Sequence, residues 1–372
     1  MTQLTHFGWD YKVDSFEDIM EILKSHYFTV DTIMEEIHQP CSNLLIYCQY
    51  DRKEKKCNEM FQLIKTLEGY CCAFNYAALN DGFEDPFFDA EDDMEFYDDR
   101  KVGAIISTSK SGSYSGLTVV FDVHVEDYPP WSDFTFEGAR ILISDPNDFP
   151  ETTVLTRYIN PGDSMDVVVE PIVVTSDPVL RRIPVEQRNC WFHDEVDLAH
   201  TDRYSYETCQ TECRMRAYIA ACGCVPYKYP TESDRRICEL TDIECIHNVV
   251  VFDTKEPCPC FLECSDKKYF AQDNILPVAT NNLPKNMHKN VSVDDVSVLK
   301  VYFGKSTCNC YKKTIIIDFN RLLGTYGGVF SLCLGGSILT FVEITYLLAS
   351  YVLSALRIRF SLYTTDKQCK TT

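Results

Sequence analysis

Ten cysteines crowd into residues 190–264: Cys190, Cys209, Cys213, Cys222, Cys224, Cys238, Cys245, Cys258, Cys260 and Cys264. A segment with this density of thiols can adopt only folds that bring them together in compatible geometry. Cys209 and Cys213 stand four apart, so on a helix they stack on one face. Cys258 and Cys260 stand two apart, so on an extended strand they also share a face. Two such rows can pair rung by rung. Closing the Cys224–Cys238 loop alone would restrict the unfolded chain by about 3 kcal/mol. Zinc is the rival reading, because Cys-x-Cys and Cys-x-x-x-Cys can ligate metal. The lack of a regular Cys-x-x-Cys repeat weighs against it, and no metal is expected.

Nineteen cysteines in 372 residues point to an oxidising compartment. The N-terminal residues, MTQLTHFGWDYKVDSFEDIM, hold no apolar core and cannot act as a secretory signal. A net charge of −21 excludes general affinity for nucleic acid or an anionic membrane face.

One segment, residues 326–356, is apolar enough to span a bilayer; fully helical, it would measure about 45 Å and must tilt or break. Arg357, Arg359, Lys367 and Lys370 follow it and favour a cytoplasmic C-terminus, although Lys312, Lys313 and Arg321 on the other side weaken that bias. If residues 1–325 are extracellular, something upstream must start their translocation, so a preceding membrane segment is expected beyond this sequence. Within the span lie Gly335, Gly336 and Ser337, then Thr340 and Glu343. A carboxylate there costs about 2.5–3.5 kcal/mol on insertion scales and is usually functional. On a helix Ser337, Thr340 and Glu343 fall within about 120° of arc, a polar stripe on an apolar rod. The glycines can let the helix unwind and free carbonyls for a cation, or can serve close helix packing.

Elsewhere the texture changes along the chain. Residues 1–80 read as largely helical: Phe16, Ile19, Met20, Ile22 and Leu23 recur at helical spacing behind a Ser15 N-cap, and a second helix is expected over residues 58–67. Residues 81–99 hold ten acids without the order of an EF-hand, and read as a solvated acidic loop or a cation- or ligand-sensing one. From residue 100 to 190, β-branched runs divided by turn residues predict strands, and residues 296–304 predict one more. The GSYSG stretch at 112–116 centres on Tyr114, not a serine, and reads as a turn. No phosphate loop and no His-Glu-x-x-His occur, so an enzyme is not expected; only His193 and His200 with nearby acids could suggest one. Asn290 begins an N-glycosylation sequon.

The cysteine order, with IPVEQRNCWF entering it, GYCCAFN at 69–75 and GGVFSLCLGGSILTFVEI near the C-terminus, resembles the degenerin/epithelial (amiloride-sensitive) sodium channel superfamily. The doubled cysteine leans toward its insect pickpocket branch. The resemblance covers roughly residues 40–357. It implies an α+β fold: a disulfide-rich extracellular domain with a β-sheet palm, helical finger and thumb, and a C-terminal transmembrane helix. Residues 1–99 would be finger-like, 100–189 palm and knuckle, 190–264 thumb, 265–325 a return palm strand and linker, 326–356 the pore-lining helix, and 357–372 a cytoplasmic tail.

The implied thumb disulfides are Cys190–Cys264, Cys209–Cys260, Cys213–Cys258, Cys222–Cys245 and Cys224–Cys238, and Cys48–Cys57 would close a finger loop. Cys71 or Cys72 would pair with a cysteine following a first span; that span and the family's His-Gly motif are not in this sequence. Cys41, Cys308, Cys310, Cys333 and Cys369 fall outside the shared framework. The implied function is a subunit of a homo- or heterotrimeric, voltage-independent, sodium-preferring channel in the plasma membrane, gated through its extracellular domain. Gly335, Gly336 and Ser337 would form its filter, with Thr340 and Glu343 along the pore. No cofactor is implied beyond permeant sodium, and the implied partners are related subunits, the lipid bilayer and an unidentified extracellular ligand, not nucleic acid. The alternative is a single-span, disulfide-rich receptor or a non-conducting regulatory subunit.

Overall fold

The computed structural model describes residues 16–77, 105–128, 137–150, 154–201, 203–230, 235–251, 258–279, 292–335 and 337–369. The acidic stretch at 81–99, Asn290 and Gly336 lie outside them. The chain divides into two compact units, Met1–Lys313 and Thr314–Thr372. The fold is α+β, with a mixed sheet, many disulfides and a long apolar C-terminal helix.

In the first unit the N-terminal pattern folds as two helices, α1 (Phe16–Ser25) and α2 (Val30–Ile37). Thr29 starts the second: its hydroxyl accepts from Thr32 N, and Thr32 Oγ1 accepts from Thr29 N at 2.9 Å. Met20, Val30 and Met34 bury their faces against Tyr227, Leu240 and Ile243.

The helix expected over residues 58–67 is not formed. A single turn at Cys57–Met60 gives way to a strand. Strands β1 (Leu45–Tyr50) and β2 (Lys53–Lys55) precede it, and β3 (Phe61–Thr66) pairs antiparallel with β4 (Gly69–Phe74). Gly69 turns this hairpin at φ 107°, and the Thr66 hydroxyl ties the turn by donating to Gly69 O. Phe61 and Phe74 meet at 5.8 Å and pack on the main core. Long-range pairing and burial thus override a local helical pattern.

The large sheet is completed by β5 (Leu117–Asp122), β8 (Asp163–Ser176), β11 (Asp266–Pro277), β12 (Val296–Phe303) and β13 (Asn309–Lys313). Its order is β11-β8-β12-β5-β1-β2, with β13 also on β8. Strands β12 and β13 run parallel to β8 one after the other, while β11 pairs with it antiparallel. Alternate residues Leu117, Val119 and Phe121, and Met165, Val167 and Val169, turn to one face and make the core with Leu45, Cys48 and Leu299. The hairpin of β6 (Ala139–Ile143) and β7 (Leu155–Ile159) covers that face through Ala139, Ile141 and Ile143. In the GSYSG stretch a Cβ on Gly116 would stand 2.2 Å from Val301 O and 2.5 Å from Tyr302 Cβ, so glycine there serves close backbone packing.

The cysteine-rich block is framed by β9 (Cys190–Trp191), parallel to β10 (Leu262–Glu263), and by α3 (Tyr206–Cys222) and α4 (Ile243–Val251). Ser205 caps the start of α3, and Gly223, at φ 67°, ends it. Met215 and Tyr218 from α3 pack with Val225, Tyr229 and Ile246.

The second unit holds α5 (Phe319–Leu334) and α6 (Ile338–Cys369). The span read over 326–356, which at full helical length must tilt or break, is carried by two helices interrupted between Leu334 and Ile338. The stretch fit to span a bilayer is Leu339–Ile358, with mean hydropathy 1.6.

Candidate functional site

The break between α5 and α6 is written in three residues. Asp318 caps α5 at its start by accepting from Arg321 N at 2.7 Å. Gly335 ends it in the left-handed region, at φ 60°, a conformation that side chains disfavour. Ser337 then starts α6: its hydroxyl accepts from Thr340 N, while Thr340 Oγ1 accepts from Ser337 N, each at 3.3 Å. This reciprocal cap makes Ser337 and Thr340 stop-and-start signals for backbone as well as members of a polar stripe.

Ser337, Thr340 and Glu343 are all exposed, set among exposed Leu339, Phe341, Val342 and Ile344. The end of α5 leaves carbonyls without intrahelical partners beside this stripe, and the helix dipole makes that end attractive to cations. The arrangement can offer a cation backbone oxygens, two hydroxyls and a carboxylate.

In the first unit, the structure joins Cys190 to Cys264, Cys209 to Cys260, Cys213 to Cys258, Cys222 to Cys245 and Cys224 to Cys238. The first row lies on α3, and the second lies just before β10. The two rungs have Cα separations of 5.9 and 5.8 Å. Cys224 and Cys238 lie near Asp242, but their thiols are consumed in a disulfide and cannot ligate metal. Cys48 pairs with Cys57.

One cysteine assignment is corrected. Cys41, left without a partner by the sequence, is bonded to Cys72 at a Cα separation of 5.7 Å. Alternation along β4 decides this: Cys72 joins Cys41, Cys57 and Phe74 against the main core, while Cys71 lies 3.3 Å from Thr66 Oγ1. Burial pushes the Cys71 thiol pKa up, which makes it a poor nucleophile.

His200 is taken up by a structural contact. His200 Nδ1 lies 3.1 Å from Glu212 Oε1, which also accepts from Ala199 N and His200 N. Burial pushes the Glu212 carboxyl up, but these hydrogen bonds outweigh it and leave its pKa below the usual value. Glu212 thereby ties α3 to the loop before it, a structural task.

A feature that sequence reading missed lies where the cysteine block meets the large sheet. Asp148, Glu263 and Asp266 are all raised in pKa, chiefly by burial and then by neighbouring carboxylates such as Asp145, while Lys268 pulls Asp266 back down in part. Asp148 rises to about 8. Tyr269 donates to Asp145 at 3.1 Å. These acids come from segments more than a hundred residues apart, so no spacing signal announces them. Nearby, Arg188 stacks 5.0 Å from the Phe192 ring and is ion-paired with Glu195.

The residues match known proteins along most of the chain. A family model described as amiloride-sensitive sodium channel matches residues 4–347. The chain is 25% identical over 335 residues to Sodium channel protein Nach of Drosophila ananassae, covering 88% of this chain and 60% of that protein. It is 26% identical over 356 residues to Pickpocket protein 28 of Drosophila melanogaster, covering 84% and 57%. It is 24% identical over 249 residues to acid-sensing ion channel 4-B of Danio rerio, covering 63% and 43%. The chain thus spans about three fifths of the length of the Nach and pickpocket relatives it matches. With a match over nearly its whole length, the chain belongs to the amiloride-sensitive sodium channel family, a family of ion channels and not of enzymes.

Proposed function

We propose that this chain is a subunit of a voltage-independent, sodium-preferring cation channel, assembled as a trimer with copies of itself or related subunits. The first unit, with its palm-like sheet and thumb-like disulfide block, faces the cell exterior and carries the gating stimulus. The second unit crosses the plasma membrane and ends in the cytoplasm. The observation that carries this reading is the helix break at residues 335–337, a cation-attracting helix end set beside Ser337, Thr340 and Glu343. Around a symmetry axis each of these groups is repeated, and a ring of carboxylates draws cations into a narrow path. Family membership and the seven disulfides support the same reading.

Recordings from cells expressing this chain with and without related subunits test it. Ser337→Cys makes the pore sensitive to thiophilic silver or cadmium ions and alters sodium-over-potassium preference. Glu343→Gln lowers conductance more than surface expression, because it removes charge with little change in volume. Unchanged selectivity across substitutions at Gly335, Gly336 and Ser337 would return these residues to a packing role. The alternative is a single-span receptor or a non-conducting regulatory subunit, built on the one stretch fit to span among the described residues, Leu339–Ile358. That reading gains if the chain changes partner currents while both substitutions leave the pore untouched.

A further inference from the structure

The first unit is not filled where its layers face one another. A cavity of about 1500 Å³ lies between the core face of the large sheet and the two hairpins, β3–β4 and β6–β7. Its walls are apolar: Phe61 and Phe74 from one hairpin, Ile141 and Ile143 from the other, and Val301 and Phe303 from β12. All six stay only half-buried, although they pack against the main core. Native interiors are close-packed, and an apolar space of this size forfeits dispersion contacts along its lining. Pockets for small ligands measure about 300–1,000 Å³, so this one fits something larger than a compact metabolite.

Shape and charge narrow the ligand. Every residue from Tyr70 to Tyr76 lines the cavity, and so does every residue from Gly138 to Ser144. Six residues of extended chain, the length of β4, cover about 20 Å. The space therefore runs along both hairpins, as an extended hydrocarbon chain would. Its described lining residues include four cations, Lys110, Arg140, Lys267 and Lys305, and one acid, Glu68, in a chain whose net charge is −21. Arg140 is ion-paired with Glu68 and stacks 5.2 Å from the Tyr158 ring, so those two charges compensate each other.

Lys110 and Lys305 are placed differently. Their segments are joined by Gly112 N, which donates to Phe303 O at 2.8 Å. Their side chains are 62% and 67% exposed, which puts them at the mouth of the cavity. Each has an acid beside it, Asp51 at 2.7 Å and Glu170 at 2.9 Å. Exposed pairs of this kind are held weakly and exchange readily for another carboxylate.

We propose that this cavity binds a long-chain fatty acid, its acyl chain lying between the hairpins and the sheet and its carboxylate held by Lys110 and Lys305. Burial of the hydrocarbon supplies the affinity, since it covers apolar side chains that the fold leaves half-exposed. The two lysines supply the choice of an anion over a neutral amphiphile. The site lies wholly within the first unit and shares no residue with the helix break at 335–337.

The test uses the epitope-tagged full chain in insect cells and a palmitate probe carrying a diazirine and an alkyne. Ultraviolet light fixes the bound probe, and mass mapping of the recovered chain locates it. Label is expected on peptides from β3–β4, β6–β7 and the end of β12, displaced by oleate and not by oleyl alcohol. Lys110→Gln with Lys305→Gln raises the oleate needed for displacement about five- to tenfold, with surface delivery unchanged. Ile141→Trp fills the cavity and removes the label; should that variant fail to reach the surface, the lysine variant decides alone. Label confined to α5 and α6 reports partition into the membrane and overturns the site, as does label that excess oleate leaves in place. Equal displacement by oleyl alcohol, or an unchanged oleate requirement in the lysine variant, overturns the anionic ligand. Displacement by lysophosphatidate and not by oleate gives the cavity to a phospholipid anion and overturns the fatty acid.

Discussion

The paired rungs Cys209–Cys260 and Cys213–Cys258 make a quantitative prediction because they share chain. Alone, they would close loops with sequence separations of 51 and 45 residues. Each would then stabilise the fold by about 4 kcal/mol through the entropy taken from the unfolded state. They are not alone. Four residues on α3 and two before β10 separate them, so while one rung stands the other closes only that short circuit. The same relation then values a single rung at about 2 kcal/mol. With both gone, the nearest remaining ties are Cys190–Cys264 and Cys222–Cys245, and the combined loss rises to about 5 kcal/mol. Paired alanine replacements, Cys209→Ala with Cys260→Ala and Cys213→Ala with Cys258→Ala, remove each rung without leaving a free thiol. Urea unfolding of the purified chain, followed by tryptophan fluorescence from Trp191 inside the block, reads the midpoints. A single-rung loss as large as the double loss would refute the shared-loop reasoning. Stoichiometric zinc with free thiols at these four positions would refute the disulfides themselves.

Other outcomes follow from individual residues. Gly116→Ala places a methyl group against Val301 O and the Tyr302 backbone, and overpacking of this kind costs about 1–3 kcal/mol or more, read as reduced surface delivery and a lower unfolding midpoint. Asp148 has a folded pKa raised to about 8 from an ordinary value near 3.8, so its contribution to stability is fully present below the ordinary value and is lost as pH rises toward 8. Asp148→Asn should therefore flatten that decline and leave the variant on the order of 2 kcal/mol more stable than the parent at pH 8, a value discounted because Glu263 can carry the proton instead. Unfolding midpoints at pH 5 and pH 8 check this, and a variant as steep as the parent would place the pH dependence elsewhere.

What could be read from the sequence divides along physical lines. Cys209 and Cys213 carried a helical spacing that α3 holds, Cys258 and Cys260 precede β10 and do not lie on a strand, and the resemblance supplied pairings that the structure also holds. Strand runs such as Leu117–Asp122 were legible because a short run of β-branched and apolar residues stands between turn residues. The Phe61–Thr66 strand was not, because Phe61, Ile64 and Leu67 also fit a helical stripe and only pairing with Gly69–Phe74 decides between them. Cys41–Cys72 was illegible for the same reason, since which of two adjacent cysteines faces the core depends on that strand register. Asp148 and Glu263 share a seam that no local pattern can encode. The helix break was half legible: the glycines announced it, but the reciprocal cap between Ser337 and Thr340 appears only once α6 is built.

That cap bears on whether the break is a packing device or a pore device. Small residues suffice to let two helices approach, and an unbroken helix serves that purpose better, since each backbone group stays satisfied. Here Gly335 takes a left-handed conformation and Ser337 and Thr340 re-initiate the helix, so the apolar run is interrupted by dedicated stop and start chemistry. Among hydrocarbon tails each unsatisfied backbone group costs several kcal/mol, so such breaks persist only where protein or water covers the exposed carbonyls. Within the second unit the residues around the break are exposed, and nothing described there supplies that cover. In the channel proposed above, neighbouring helices would supply that cover and a water-filled path would solvate Glu343. The left-handed turn explains Gly335; it does not explain why a cap and a carboxylate follow on the same stripe.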